Sequence, residues 1–361
     1  MKKFLIINPF GIGDVLFTTP VIKAIKNSFP DSYIGYSCNE RVAPLFRNNP
    51  HIDKIFALSR GDIKEKYRKS RFEGMMKLLK VIKNIKKERF DISLDFSLDY
   101  RNGLIGRLIG IKKRVGLNYK RNGRFLTDKI NIIDYQNKHM VERYLGVLGL
   151  IDISPKDKKL ELYADERSSE WTNKLFMQSG ISSNDMVIGI APGAGASWGK
   201  NAPLKHWPSV RFAQLADKIS DNLNAKILIL GDISERYVAE TIINRMKNKP
   251  IDLVGKTTLE QLIAIMSKLQ LLITNDGGPL HMAVALNKRT VSFFGPVDPV
   301  VYGPYPFDIE SHIVLRKALE CSPCYRNFIP PTCQRDKECL KRIDVDEAFL
   351  AVTSLLNKSK M

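Results

Sequence analysis

Two series of strand-length apolar runs, each alternating with helix-length amphipathic runs, constrain this chain more than any other feature. In the first half FLIIN, SYIGYS, KIFAL, DISLDF and KRVGL read as strands, and VIKAIKNSF, the basic run MMKLLKVIKNIKKE and MVERYLGVLGL read as the helices between them. In the second half MVIGIA, AKILILG, IDLVG, LQLLIT and RTVSFFG restart the pattern, with VRFAQLADKI, SERYVAETIINRM and TTLEQLIAIMSKL as helices. Such alternation builds α/β layers with largely parallel sheets. In the helix starts, Thr257 and Glu260 stand at capping-box spacing and Ser234 reads as an N-cap. The polar segment ISPKDKKLELYADERSSEW separates the halves. Two similar domains are therefore expected, 1–165 and 166–361, and 361 residues suffice for both. The tail DVDEAFLAVTSLLNK aligns Val345, Phe349, Val352 and Leu356 on one stripe, so it packs onto a domain, a return to the N-terminal one being an option.

No run approaches the roughly 18–20 uncharged apolar residues of a membrane span, and MKKFLIINPFGIGDVL lacks a signal-peptide pattern. A cytoplasmic protein is expected. Its net charge of +19 calls for an anionic partner. Most of that excess lies between Arg60 and Arg124, where 20 Lys/Arg face 7 Asp/Glu. The segment favours a phosphorylated substrate or an anionic membrane surface. No nucleic-acid partner is expected, because no zinc-finger spacing, aromatic RNA motif or basic zipper accompanies the charge.

Four stretches carry chemistry. NPFGIGDVLFTTP follows the first strand, and Gly11 and Gly13 stand where the backbone turns or approaches a ligand; Leu16 replaces the third glycine of a dinucleotide fingerprint. Asp14 is placed either to cap the helix or to act as a general base. APGAGASWGKNAPLKHWP satisfies G-x-S-x-G around Ser197, but a loop precedes the serine and Pro203 and Pro208 follow it, unlike a nucleophile elbow. With Lys205 the stretch suits an anion cradle. LILGDISERYVAE offers a polar turn with Glu235 in the first helical turn. TNDGGPLHMAVALNK places Asp276, Gly277, Gly278 and His281 at a strand-to-helix turn whose amides and dipole suit a phosphate. The last three of these loops would converge on the carboxyl edge of one sheet. Finally, Cys321, Cys324, Cys333 and Cys339 are spaced C-x2-C-x8-C-x5-C, which raises the possibility of a structural zinc site. There is no Walker loop, HExxH or strand-end DxD.

Together GIGDVLFTTPVIKAIKNSFP, PGAGASWGKNAPLKHWP, NDGGPLHMAVALNKRTVSFFGPVDP and CSPC resemble glycosyltransferase family 9, the heptosyltransferases of lipopolysaccharide core assembly. The resemblance implies a GT-B fold, two Rossmann-like domains facing across a cleft, with acceptor on the first and nucleotide-sugar donor on the second. It implies an inverting transfer that needs no cofactor, of a heptose from ADP-heptose to a lipopolysaccharide-core or related acceptor, with Asp14 as general base. Lys205 and Ser197 would meet the donor phosphates, Asp276, Gly277, Gly278 and His281 the donor turn, and Glu235 the nucleoside. Arg60, Lys64, Arg101, Arg121 and Arg124 are positioned to meet the acceptor, and the same basic field to meet an anionic inner membrane. Asn8-Pro9 stands where many relatives carry Arg or Lys before the proline. Alternatives are transfer from another nucleotide sugar, sugar-nucleotide epimerisation, or a non-enzymatic role in binding nucleic acid or a membrane surface.

Overall fold

The computed structural model describes residues 1–58, 71–135 and 137–357. Its contacts divide the chain into two units, one of 1–134 with 140–161 and one of 135–139 with 162–361.

The first unit holds a six-stranded sheet of β1 (Lys3–Asn8), β2 (Tyr33–Asn39), β3 (Lys54–Leu58), β4 (Ile92–Asp95), β5 (Lys113–Tyr119) and β6 (Asp128–Ile132). The second holds β7 (Val187–Ala191), β8 (Lys226–Ile229), β9 (Ile251–Asp252), β10 (Leu271–Asn275), β11 (Arg289–Phe293) and β12 (His312–Leu315). Every pairing is parallel. The orders are β3-β2-β1-β4-β5-β6 and β12-β11-β10-β7-β8-β9. Counted from the first strand of each unit, both are the 3-2-1-4-5-6 order of a doubly wound nucleotide-binding sheet.

The apolar runs occupy the sheet centres for the expected reason. β7 and β10 are buried along their whole length, since crossover helices cover both faces. The strands that the apolar pattern does not announce are β6 and β12, two of the four edges. The sequence of β6 is DKINI, with three of its five residues exposed, and β12 has only four residues. An edge strand needs cover on fewer sides, so it carries little hydrophobic signal.

Helix starts also depart from the sequence reading by short steps. The capping boxes are Asp232 with Glu235 and Thr258 with Gln261, in place of a Ser234 cap and a Thr257–Glu260 box. Equivalent side chains stand next to each other in both stretches, and backbone geometry chooses between them.

The last helix, Val345–Asn357, packs on the helix Ser209–Leu223 and on β11 and β12, and so stays with the second unit. Its Ala348, Val352 and Leu355 are fully buried in that unit's core. Tyr135–His139 also joins the second unit. Tyr135 packs edge-on against Phe328 at 4.4 Å, and His139 stacks on Tyr305 at 4.6 Å with Nε2 3.1 Å from the Gly303 carbonyl. Among the described residues no helix is long and apolar enough to cross a membrane.

Candidate active site

In a doubly wound sheet, ligands bind beyond the carboxyl ends of the strands, where the strand order reverses. That point lies between β7 and β10 in the second unit and between β1 and β4 in the first.

In the second unit the point is closed by a buried amide. Asn275, at the end of β10, accepts from the Trp207 N–H at 2.9 Å and donates Nδ2 to the Pro192 carbonyl at 2.6 Å. It thereby ties the loop after β7 to the KHWP stretch. Trp207 is an anchor in its own right: it stacks on Phe293 at 4.1 Å and donates Nε1 to the Ile343 carbonyl at 3.0 Å. With Trp207 and Asn275 joined, their near neighbours Lys205 and Asp276 meet. Lys205 Nζ lies 2.6 Å from Asp276 Oδ2, and each side chain is only 7% exposed. Opposite charge holds this pair. The ammonium also lies 5.0 Å from the centre of the Trp198 ring.

Removing two charges from water costs several kcal/mol per ion, so an isolated pair of this kind is a poor device for stability alone. Its surroundings suggest a ligand. The helix Gly278–Ala285 starts beside Asp276 with Gly277 at its N-cap and no side-chain cap, leaving its positive end to a different partner. His281 is buried in that helix, and burial, with smaller contributions from His139 and Lys205, pushes its imidazole down to about 3. It is neutral at physiological pH. The backbone of Ser197 lies in the segment Ala196–Lys205, and its hydroxyl is outside the described side chains.

Glu235 has a different task from a free acid. Its Oε1 accepts from the Gly195 N–H at 2.9 Å and its Oε2 from the Asp232 N–H at 3.0 Å. One carboxylate thus joins the loop after β7 to the loop after β8. The close approach requires glycine at 193, where a Cβ would stand 1.8 Å from Oε1.

The first unit's switch point is less enclosed. Asp14 lies half-buried in the short helix Ile12–Leu16, and its carbonyl accepts from Asn8 Nδ2 at 2.9 Å. Gly11 precedes the helix, with open space where a Cβ would stand, and Gly13 is inside it. Across the reversal, Asp95 at the end of β4 is a residue that the sequence reading missed. It accepts from the Ser97 N–H at 2.8 Å, and burial pushes its carboxyl up to about 6. An acid ending the apolar strand ISLDF was the available signal.

Among the candidate acceptor cations, Arg101 donates Nε to Asp99 Oδ1 and Nη2 to Oδ2, and Arg124 lies 3.8 Å over the Tyr100 ring. The two therefore gather at the start of the helix Tyr100–Leu108. Arg121 is in the turn that follows β5, with φ of 63°. Arg60 and Lys64 lie outside the described residues.

The zinc expectation finds no support in the geometry. Among the described residues no group of three or more His, Cys, Asp or Glu side chains is placed to hold a metal ion. Cys321 and Cys333 are exposed, whereas Cys339 is buried in the second unit's core. The segment is fixed by its backbone: the Cys324 and Tyr325 N–H groups both donate to the Pro296 carbonyl, at 2.9 and 2.8 Å.

Comparisons with known proteins agree with this architecture. The sequence model of glycosyltransferase family 9 (heptosyltransferase) matches residues 78–330, well over half of the chain. The protein belongs to that family and is a glycosyltransferase. It is 26% identical over 365 residues to lipooligosaccharide heptosyltransferase 2 of Campylobacter jejuni, with all of both chains covered. The glycosyl transferase family 9 structure from Veillonella parvula superposes with a TM-score of 0.83 at 24% identity, covering 99% of this chain and 98% of that one. The E. coli ADP-heptose lps heptosyltransferase II structure gives 0.77 at 21% identity, with both chains fully covered. The fold is the GT-B fold of those enzymes.

Proposed function

We propose that this enzyme transfers a heptose from ADP-heptose to a lipopolysaccharide-core or related acceptor, with inversion and without a catalytic metal. The observation that carries the reading is the buried Lys205–Asp276 pair beside the uncapped start of the Gly278–Ala285 helix. The names of its relatives, lipooligosaccharide heptosyltransferase 2 and ADP-heptose lps heptosyltransferase II, support the choice of sugar, nucleotide and acceptor.

In this reading the donor diphosphate meets the amides of Gly277 and Gly278, the Lys205 ammonium and the Ser197 hydroxyl. As the glycosidic bond breaks, negative charge grows on the departing phosphate, and preorganised donors stabilise it; one lost donor costs about 3–4 kcal/mol in comparable sites. Asp276 holds the ammonium in position, and neutral His281 neither repels it nor competes for the anion. Glu235 serves the nucleoside indirectly, by fixing the loop that carries Gly193 and Gly195. Asp14 accepts the proton of the acceptor hydroxyl as that oxygen attacks the anomeric carbon.

Release of ADP from ADP-heptose in the presence of a lipopolysaccharide-core acceptor tests the reaction, with other nucleotide sugars as the comparison. Asp14→Asn should leave ADP affinity within about twofold while turnover falls by roughly 10²–10⁴. Equal loss of binding and turnover would remove Asp14 from the base position.

The acceptor is proposed to approach Arg101, Arg121 and Arg124, with Arg60 and Lys64 as further candidates. Peripheral attachment to an anionic membrane fits the helix Arg71–Glu88, where Met75, Met76 and Leu79 are about half exposed alongside Lys80, Lys83, Lys86 and Lys87. Binding to vesicles containing phosphatidylglycerol should weaken steeply with salt and with Met76→Ser/Leu79→Ser. Salt-independent binding would count against this attachment.

A further inference from the structure

The cysteine segment also shapes the surface beside it. Its hydrogen bonds to Pro296, together with that from Ser322 Oγ to the Gly295 carbonyl at 2.7 Å, clamp it on the loop after β11. That clamp puts the Tyr325 ring 4.8 Å from Trp198 and 6.2 Å from Tyr302. The result is a half-open cup at the carboxyl edge of the second sheet, lined by Tyr135, Tyr302 and Tyr325 with Asp298 and Arg326. Trp198 links the cup to the ammonium of Lys205.

Aromatic walls with one carboxylate and one guanidinium suit a particular ligand. A pyranose ring presents a face of C–H bonds that lies on an aromatic ring, while its hydroxyls both donate to a carboxylate and accept from a guanidinium. The cup's place in the sheet narrows the choice further. In the order β11-β10-β7-β8, the Lys205–Asp276 pair belongs to the central β10–β7 reversal, Glu235 follows β8, and the cup follows β11. If the diphosphate occupies the centre and the nucleoside the Glu235 side, the cup lies on the opposite side, toward which the sugars extend.

We propose that this cup is a sugar subsite, taking one pyranose ring of the two glycans brought together in the reaction. The proposal rests on the donor reading given above, and the test separates the two. Full-length wild type, Tyr325→Ala, Tyr325→Phe and Arg326→Ala are titrated with ADP, with ADP-heptose and with a lipopolysaccharide-core oligosaccharide. ADP affinity should stay within twofold in all three variants, which also reports an intact fold. Tyr325→Ala and Arg326→Ala should each lose at least fivefold in affinity for one sugar-bearing ligand, and Tyr325→Phe should lose less than Tyr325→Ala. Loss confined to ADP-heptose assigns the donor's ring to the cup, and loss confined to the oligosaccharide assigns the acceptor's. Unchanged affinity for both overturns the proposal, as does a loss of ADP affinity that accounts for the whole effect. Absence of ADP binding to wild type, or an unchanged ADP isotherm in Lys205→Ala, would defeat the donor reading, while the oligosaccharide titration would still decide the cup.

Discussion

The two units share a strand order but invest differently at the point where it reverses. In the second unit buried groups dominate: Asn275 is wholly buried, Lys205 and Asp276 nearly so, and Glu235 spans two loops. In the first, Asp14 is half-buried on a five-residue helix, and the buried acid is Asp95, on the neighbouring strand. A charged ligand that must be held tightly calls for preorganised, desolvated partners, and these are expensive to build. A base that accepts a proton needs a defined position and access to solvent or substrate. The same topology thus carries a rigid, densely tied reversal point in one copy and a more open one in the other.

The comparison can be broken most forcefully at Asp276. Asp276→Ala leaves the Lys205 charge buried without its counterion, and should cost the second unit about 3–5 kcal/mol. All three tryptophans, Trp171, Trp198 and Trp207, belong to that unit, so urea unfolding followed by tryptophan fluorescence reads it selectively. A loss below about 1 kcal/mol would mean that the pair is well solvated and that the contrast between the units is overstated.

Acid should separate the units with opposite signs. Burial holds His206 and His312 down at about 4 and His281 at about 3, all in the second unit. Their unfolded value is near 6.5, so below that pH the unfolded state takes up protons that the folded state refuses. Stability is lost as pH falls from about 6.5 toward 4, by on the order of 1–2 kcal/mol per histidine at pH 5. Asp95 acts in the other direction in the first unit. Its folded value near 6 exceeds the unfolded one near 3.9, so it favours the folded state as pH falls through 6. The fluorescence-detected midpoint should drop between pH 7 and pH 5, while amide exchange in β1 and β4 should slow relative to β7 and β10. Parallel changes in both sheets would erase this distinction.

A smaller effect sharpens the picture of Glu235. In Gly193→Ala the new Cβ displaces the carboxylate and frees the Gly195 and Asp232 N–H groups. A loss of about 1–2 kcal/mol is expected, together with weaker ADP binding. Unchanged ADP affinity would show that the loop after β7 does not depend on this bridge.

Several of the candidate stretches could be placed in the fold from sequence because they follow strands. GIGD follows β1 and NDGGPLH follows β10, each at the carboxyl edge of its own sheet. What could not be read was pairing across distance. Nothing local tells Lys205 that its partner is Asp276, or Gly193 that its neighbour is Glu235; Asn275 and Trp207 decide the first and a capping box the second. The four cysteines show the converse. Their spacing invited a metal, for which the described side chains give no support; main-chain bonds to Pro296 fix the segment, and its tyrosine and arginine line a cup.

The sequence by itself determined the alternation of strands and helices, the two α/β units and the glycine-rich loops that follow their strands. Hydrophobic periodicity and glycine turns are local signals, and they suffice for that. The tertiary structure alone decided the edge strands β6 and β12, the assignment of Tyr135–His139 and the last helix to the second unit, and which buried charges face each other. Those depend on solvent exclusion and on contacts between residues tens of positions apart, where the energy of a group is set by its neighbours and no longer by its type.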